Sequence, residues 1–317
     1  MRGGPDREEV LVSRRGWALF VTMGVIWGVP YLLIKVAVEE LSPASLVLAR
    51  TGLASLLMVP LAAARGQLRP LLPHWRPLLV YTAIEICLPW VLLGYAEQKL
   101  SSSLTGLLVA AVPLVGAVLV TVTGHERLGS RNVVGLLVGF AGVAILAGFD
   151  VDASSAGAVA AVGVVAVCYA LGPLILSRYL AHLPGLGVVA ASLAITMVAY
   201  LPVGIAQWPT EAPGRDTWLS VIGLAVLCTA VAFMVFFRLI AEVGPALSIL
   251  LPYLNPAVAL VLCPIALLFR FTVATGAGFA LILLGSVLAT SRARREEPVP
   301  AVVGVGARGL STEEVAA

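Results

Sequence analysis

The chain has 317 residues, of which 60% are hydrophobic and only 12% charged, whereas an ordinary soluble domain is roughly 45–50% apolar and about 25% charged. An aqueous core cannot hold that much apolar surface, so most of it must face lipid, which excludes a soluble globular protein. The formal net charge is only +3 and the arginines sit in short clusters between apolar runs, which excludes a nucleic-acid surface.

Taken in chain order, residues 1–15 read as a polar tail. Asp6, Glu8 and Glu9 precede Arg14 and Arg15, and no short apolar region ends in a small-residue cleavage site, so the first apolar run is expected to stay in the protein. Polar and Pro/Gly-rich punctuation then divides the chain into ten apolar segments near the roughly 20 residues a helix needs to cross the hydrocarbon. They are 16–37, 44–64, 77–96, 102–122, 132–149, 156–177, 186–206, 217–240, 245–268 and 271–290. The runs are continuously apolar and lack the period-two alternation of a membrane barrel, so they read as helices. Residues 291–317 read as a disordered tail.

Orientation follows from the basic residues. With the N-terminus inside, one side receives Arg2, Arg7, Arg14, Arg15, Arg65, Arg69, Arg76, Arg127, Arg131, Arg178, Arg238, Arg292, Arg294, Arg295 and Arg308, while the other holds Glu39, Glu40, Asp150, Asp152, Glu211 and Asp216. Positive residues collect in cytoplasmic loops, so both termini are expected in the cytoplasm of a multi-pass plasma-membrane protein. The four cysteines, Cys87, Cys168, Cys228 and Cys263, lie in apolar segments and read as small hydrophobic fillers. No CxxC pair or histidines at ligand spacing predict a metal, and none is expected.

Sliding the sequence along itself by 143 residues brings breakers and charges into register. Pro30 meets Pro173, Lys35 meets Arg178, Pro113 meets Pro256, Arg127 meets Arg270, Gly135 meets Gly278, and Gly142 meets Gly285. Each repeat, 16–149 and 156–290, holds five spans. An odd number sends the second through the membrane in the opposite sense, so the expected fold is an all-α integral membrane protein of ten helices in two inverted five-helix repeats. Such a repeat offers two conformations with opposite openings, the basis of alternating access.

The residues also carry a family resemblance. WGVPYLLIKVAVEELSPASLVLAR, VPLVGAVLVTVTGHERLGSRNVVGLLVGFAGVAIL and LNPAVALVLCPIALLFRFTVATGAGFALILLGSVLA, in order and at constant offset, resemble the drug/metabolite transporter superfamily, and within it the EamA-like transporters with two repeats. The resemblance implies a secondary transporter, most often an exporter, of amino acids or other small metabolites or drugs, with no bound cofactor. Phe269 stands where the second repeat would match Glu126. Glu126 itself, among His125, Arg127 and Arg131, reads as a solvated ion pair or helix cap.

Charge in mid-span costs roughly 2.5–3.5 kcal/mol on insertion scales and marks candidate functional residues. Glu85 lies about 13 Å from the inner boundary and Arg50 about 9 Å from the outer one, counting 1.5 Å per residue. Glu85 reads as a proton-coupling or amine-binding carboxylate, and Arg50 as a partner for a substrate carboxylate; a structural ion pair between the two is the alternative. Lys35, near a helix end, can instead snorkel to water. In the expected ninth span, Pro252, Pro256 and Pro264 free backbone carbonyls beside Asn255, at Glu85's depth. Tyr253, Ser248, Trp90 and Tyr31 add polar and aromatic surface at plausible depth. Pro30 and Tyr31 are expected at an outer gate and 171–173 at an inner one, with Lys35 and Arg178 at the rims.

The expected partners are a small-molecule substrate, the bilayer and, if transport is coupled, protons, and the expected assembly is a monomer or homodimer. A membrane enzyme is disfavoured because no loop carries a metal- or nucleophile-activating cluster. A non-transporting receptor or assembly subunit would not need the inverted repeat. An ATP-driven pump is excluded for this chain alone, because no GxxxxGK[ST] occurs.

Overall fold

The computed structural model describes residues 13–122, 129–149, 155–248 and 273–290, and among them all regular structure is helical. Among the described residues seven helices are long and apolar enough to cross a membrane: Arg14–Ala37, Pro43–Ala64, Arg69–Glu97, Ser102–Leu119, Ala156–Leu180, Gly185–Ala206 and Arg215–Leu239. Ser130–Phe149 and Val273–Thr290 supply two further apolar helices. Most of the expected ninth span lies outside the described residues. Those that are described differ from expectation at two ends. The third span begins at Arg69 with a tight turn to His74, and the eighth runs unbroken through Ala232–Ser248. Gly244 and Pro245 thus lie within a helix rather than in a turn, because a helix among other helices can re-satisfy the backbone groups that proline frees.

Prolines set the irregularities. Pro30 has no N–H for the carbonyl of Ile26, and the first span divides there into Arg14–Gly28 and Pro30–Ala37. Pro89 likewise cannot donate to the Glu85 carbonyl and crowds it, and the preceding turn, Ala83–Cys87, widens into a π-helix. The fourth span divides into Ser102–Val109 and Val112–Val122 just before Pro113. There Ala110 and Ala111 donate three residues back, to Leu107 and Leu108, at 3.1 Å each.

Helix pairing repeats with the 143-residue offset. The third span packs on the sixth, and their counterparts, the eighth and first, pack on each other. The second packs on its own counterpart, the seventh, and the fifth on the last helix. The fifth and last helices run antiparallel: Gly135 lies against Leu288 and Ala289, Gly139 against Gly285, and Gly142 against Gly278 and Ile282. A Cβ added at Gly142 would stand 2.6 Å from the Gly278 carbonyl oxygen, and one at Gly285 would stand 2.6 Å from that of Gly135. These contacts exchange under the offset, so a two-fold relates the helices, and the small residues join the two repeats within one chain.

Asn132 reinforces this seam. Its side-chain nitrogen donates to the Ala289 carbonyl at 2.8 Å, near the end of the last helix, while its Oδ1 accepts from the Gly129 N–H at 3.2 Å. Asn132→Ala leaves both groups wanting and is expected to cost about 1–2 kcal/mol, read as a lower unfolding temperature in detergent.

Candidate functional site

The widened turn Ala83–Cys87 aims Glu85 at the sixth span, where Gly172 leaves room for it. A Cβ at Gly172 would run into the carboxylate, so glycine is required here for close approach. Glu85 Oε2 is buried and has no hydrogen-bond partner among the described residues. An uncompensated buried carboxylate oxygen is costly, and such groups gather where a ligand or proton completes them. Tyr81, Cys168 and Tyr169 lie within electrostatic reach of it.

Arg50, on the second span, is buried with 7% of its surface exposed. Its guanidinium carbon stands 3.5 Å from the centre of the Trp90 ring. Its Nε donates to Thr229 Oγ1 at 3.2 Å, and Thr229 donates in turn to the Leu224 carbonyl at 2.7 Å, inside the π-helix Gly223–Val231 of the eighth span. That segment contains 226–230, the offset counterpart of 83–87. Each repeat therefore widens the same turn, one to place Glu85 and the other to hold Arg50.

Among the described residues no ion pair joins Arg50 to Glu85, which removes the structural alternative of an Arg50–Glu85 pair. Both lie within electrostatic reach of Tyr169, and the Trp90 indole is in hydrogen-bonding reach of its hydroxyl. Tyr31 is buried with Leu93 and Val165, and Tyr169 packs against this group. The arrangement is an acid and a cation held apart on one aromatic wall. The cation–π contact and the Thr229 bond offset part of the cost of burying Arg50, and the rest of its planar fork suits a carboxylate.

Lys35 does not reach for water. Its Nζ donates to the carbonyls of Glu97, at 2.5 Å, and Leu100, at 3.2 Å, capping the end of the third span. Lys35→Met is expected to cost about 1–3 kcal/mol, seen as a lower unfolding temperature, because two carbonyls lose a cationic donor. Pro30 opens the second half of the first span, as expected. Pro173 lies beside Gly172 within Ala156–Ile175, and Arg178 is exposed. Ser248 lies in the helix Ala232–Ser248, continuous with the eighth span, and Tyr253 and Asn255 lie outside the described residues.

Sequence reasoning missed Tyr169, Thr229 and Glu97, and had Gly172 only as part of the expected inner gate, not as the residue against Glu85. Tyr169 and Gly172 stand four and one residues before Pro173, and Thr229 stands one offset beyond Ile86 inside the widened turn, so a search around the repeated breakers would have found them. Glu97 falls one residue past the expected end of the third span, yet it is fully buried, and Ser102 donates to its Oε2 at 2.9 Å.

The comparisons with known proteins decide the family. The model of the EamA-like transporter family matches residues 14–148 and again 156–291. This chain belongs to the EamA-like transporter family. Its two repeats are the two halves joined by the glycine seam. The chain is similar to an uncharacterized transporter, YvbV, of Bacillus subtilis, 27% identical over 93% of this chain and 97% of that one. It is 29% identical to the uncharacterized inner membrane transporter YedA of Escherichia coli over 77% of this chain and 80% of that one. A probable terminal-alkyne amino-acid exporter of Streptantibioticus cattleyicolor is also 29% identical, over 79% and 84%. One solved crystal structure shares the fold, with a TM-score of 0.62 at 22% identity over 87% of this chain and 96% of that one. This EamA-family member is thus a multi-pass membrane transporter, and its named relatives are transporters rather than enzymes.

Proposed function

We propose that this protein exports amino acids, or small metabolites with the same two charged ends, across the plasma membrane by alternating access. Glu85 takes the ammonium and Arg50 the carboxylate. The observation that carries the reading is that these two groups share the Tyr169 wall yet are not paired with each other. A zwitterion supplies both missing counter-charges at once, which offsets the cost of holding each in the bundle. The relative named as a probable terminal-alkyne amino-acid exporter supports this substrate class.

In the proposed cycle, Glu85 holds a proton when no substrate is bound and gives it up when an ammonium arrives, so substrate and proton alternate at one carboxylate. The third–sixth seam and its counterpart, the first–eighth seam, open in turn. Pro30 and Tyr31 lie at the outer gate, 171–173 at the inner one, and Lys35 and Arg178 at the corresponding rims. In this reading both termini face the cytoplasm, in keeping with the arginine distribution.

The test is counterflow in proteoliposomes with a panel of amino acids, each set against its decarboxylated amine and its deaminated acid. Zwitterions are expected to compete at least about tenfold better than either one-ended analogue, since each charged end contributes a charge-assisted bond. Equal competition by the one-ended analogues rules out two-ended recognition. If no amino acid moves above empty liposomes, the substrate class is wrong.

A further inference from the structure

Outside this site, two side chains 108 residues apart in sequence meet at one end of the bundle. His74 closes the turn Arg69–His74 before the third span, and His182 follows the sixth span. Their Nε2 atoms are 3.1 Å apart and their ring centres 4.7 Å apart. We propose that these two histidines form a transition-metal site that ties the first repeat to the second.

The ring positions favour convergence on a shared ion. A metal about 2.1 Å from each nitrogen would see the pair at an angle of about 95° and hold the ring centres about 4.8 Å apart. A straight N–H···N bond of the same length would hold them about 5.4 Å apart. His74 Nδ1 faces the Pro70 carbonyl at 3.4 Å. With its proton on that side, Nε2 presents a lone pair, the arrangement that orients metal-binding histidines. In the metal-free protein one N–H lies between the two Nε2 atoms; for the ion to take its place, the ring that carries that proton shifts to the tautomer with its proton on Nδ1, so both rings bind as neutral imidazoles with no net proton release. Both rings are open to water, which completes the coordination.

The surroundings select the ion. Arg76 and Arg178 follow and precede the two histidines closely in sequence, and no carboxylate joins the pair in a larger cluster among the described residues. Two neutral imidazoles with no carboxylate beside them are poor ligands for Mg²⁺ and Ca²⁺, which take oxygen donors, and good ones for Zn²⁺, Cu²⁺ or Ni²⁺. The ion would staple the third–sixth seam about 16 Å along the third span from Glu85, closing that end against motion.

The full-length chain, freed of any histidine tag, is titrated with Cu²⁺ in detergent and read by electron paramagnetic resonance. One ion per chain is expected, with hyperfine splitting from two imidazole nitrogens. His74→Ala and His182→Ala are each expected to weaken binding by about tenfold or more, while His125→Ala, the third histidine, leaves it unchanged. Zn²⁺ is expected to raise the unfolding temperature of the native chain and not that of the double variant. A signal from fewer than two nitrogens in the native chain, or binding lost with His125 alone, overturns the proposal, and neither result depends on the transported substrate.

Discussion

Glu85→Gln is expected to slow transport of amino acids by about 10- to 100-fold at sub-saturating concentration while leaving the protein folded. Hydrogen bonds to charged groups are worth about 1.5–3 kcal/mol, and each 1.4 kcal/mol is a factor of ten. Glutamine keeps the shape, so it occupies the same space beside Gly172, where no Cβ fits. What it loses is the charge that an ammonium would meet and the proton that would be exchanged for it. Two readouts separate this from general damage. The unfolding temperature should stay level or rise, because an oxygen without a partner among the described residues is replaced by a neutral amide. The pH dependence of transport should flatten, because the proposed exchangeable carboxyl is gone. Transport that survives with its pH dependence intact would make Glu85 a packing residue only.

The features legible from sequence were those that depend on position along one helix. Apolar length predicts a span, and proline predicts where it bends, so the breaks at Pro30 and Pro113 stand where they were expected. The offset matches of Gly135 with Gly278 and of Gly142 with Gly285 stand in the sequence, but they name no packing partner. Only the structure shows that the partner is the last helix of the same chain.

The site was half legible for a related reason. Depth can be counted from sequence, and it picked out Glu85 and Arg50 because charge in lipid is costly whatever its surroundings. Azimuth cannot be counted in helices that are apolar on nearly every side, since no wet face marks the direction of the core. The pairing of Arg50 with Trp90 and Thr229, in place of Glu85, therefore had no sequence signal. Lys35 was misjudged in the same way. It stands near a helix end, where snorkelling is the default, and its bonds to Glu97 and Leu100 depend on a neighbouring helix ending at the same level.

Gly285→Ala is expected to destabilise the protein by about 1–3 kcal/mol, and Gly285→Leu by more, because the added carbon meets backbone rather than a movable side chain. At Gly285 the nearest atoms are the backbone of Gly139 and the carbonyl of Gly135. Neither can rotate away, so the fifth and last helices must separate along their length and lose contact over the whole seam. Gly163 gives the opposite sign on the same type of background. It lies in Ala156–Ile175 with nothing within 4 Å of an added Cβ, so Gly163→Ala should gain up to about 1 kcal/mol from helix propensity alone. The two-fold adds a sharper requirement. Gly142 and Gly285 are counterparts with matching 2.6 Å approaches to Gly278 and Gly135, so Gly142→Ala should fall within about 1 kcal/mol of Gly285→Ala. Unfolding temperatures of the three alanine variants in one detergent decide the matter. Equal losses at 142 and 285 beside a gain at 163 are expected, and a neutral Gly285→Ala would mean that the seam is looser than its geometry implies.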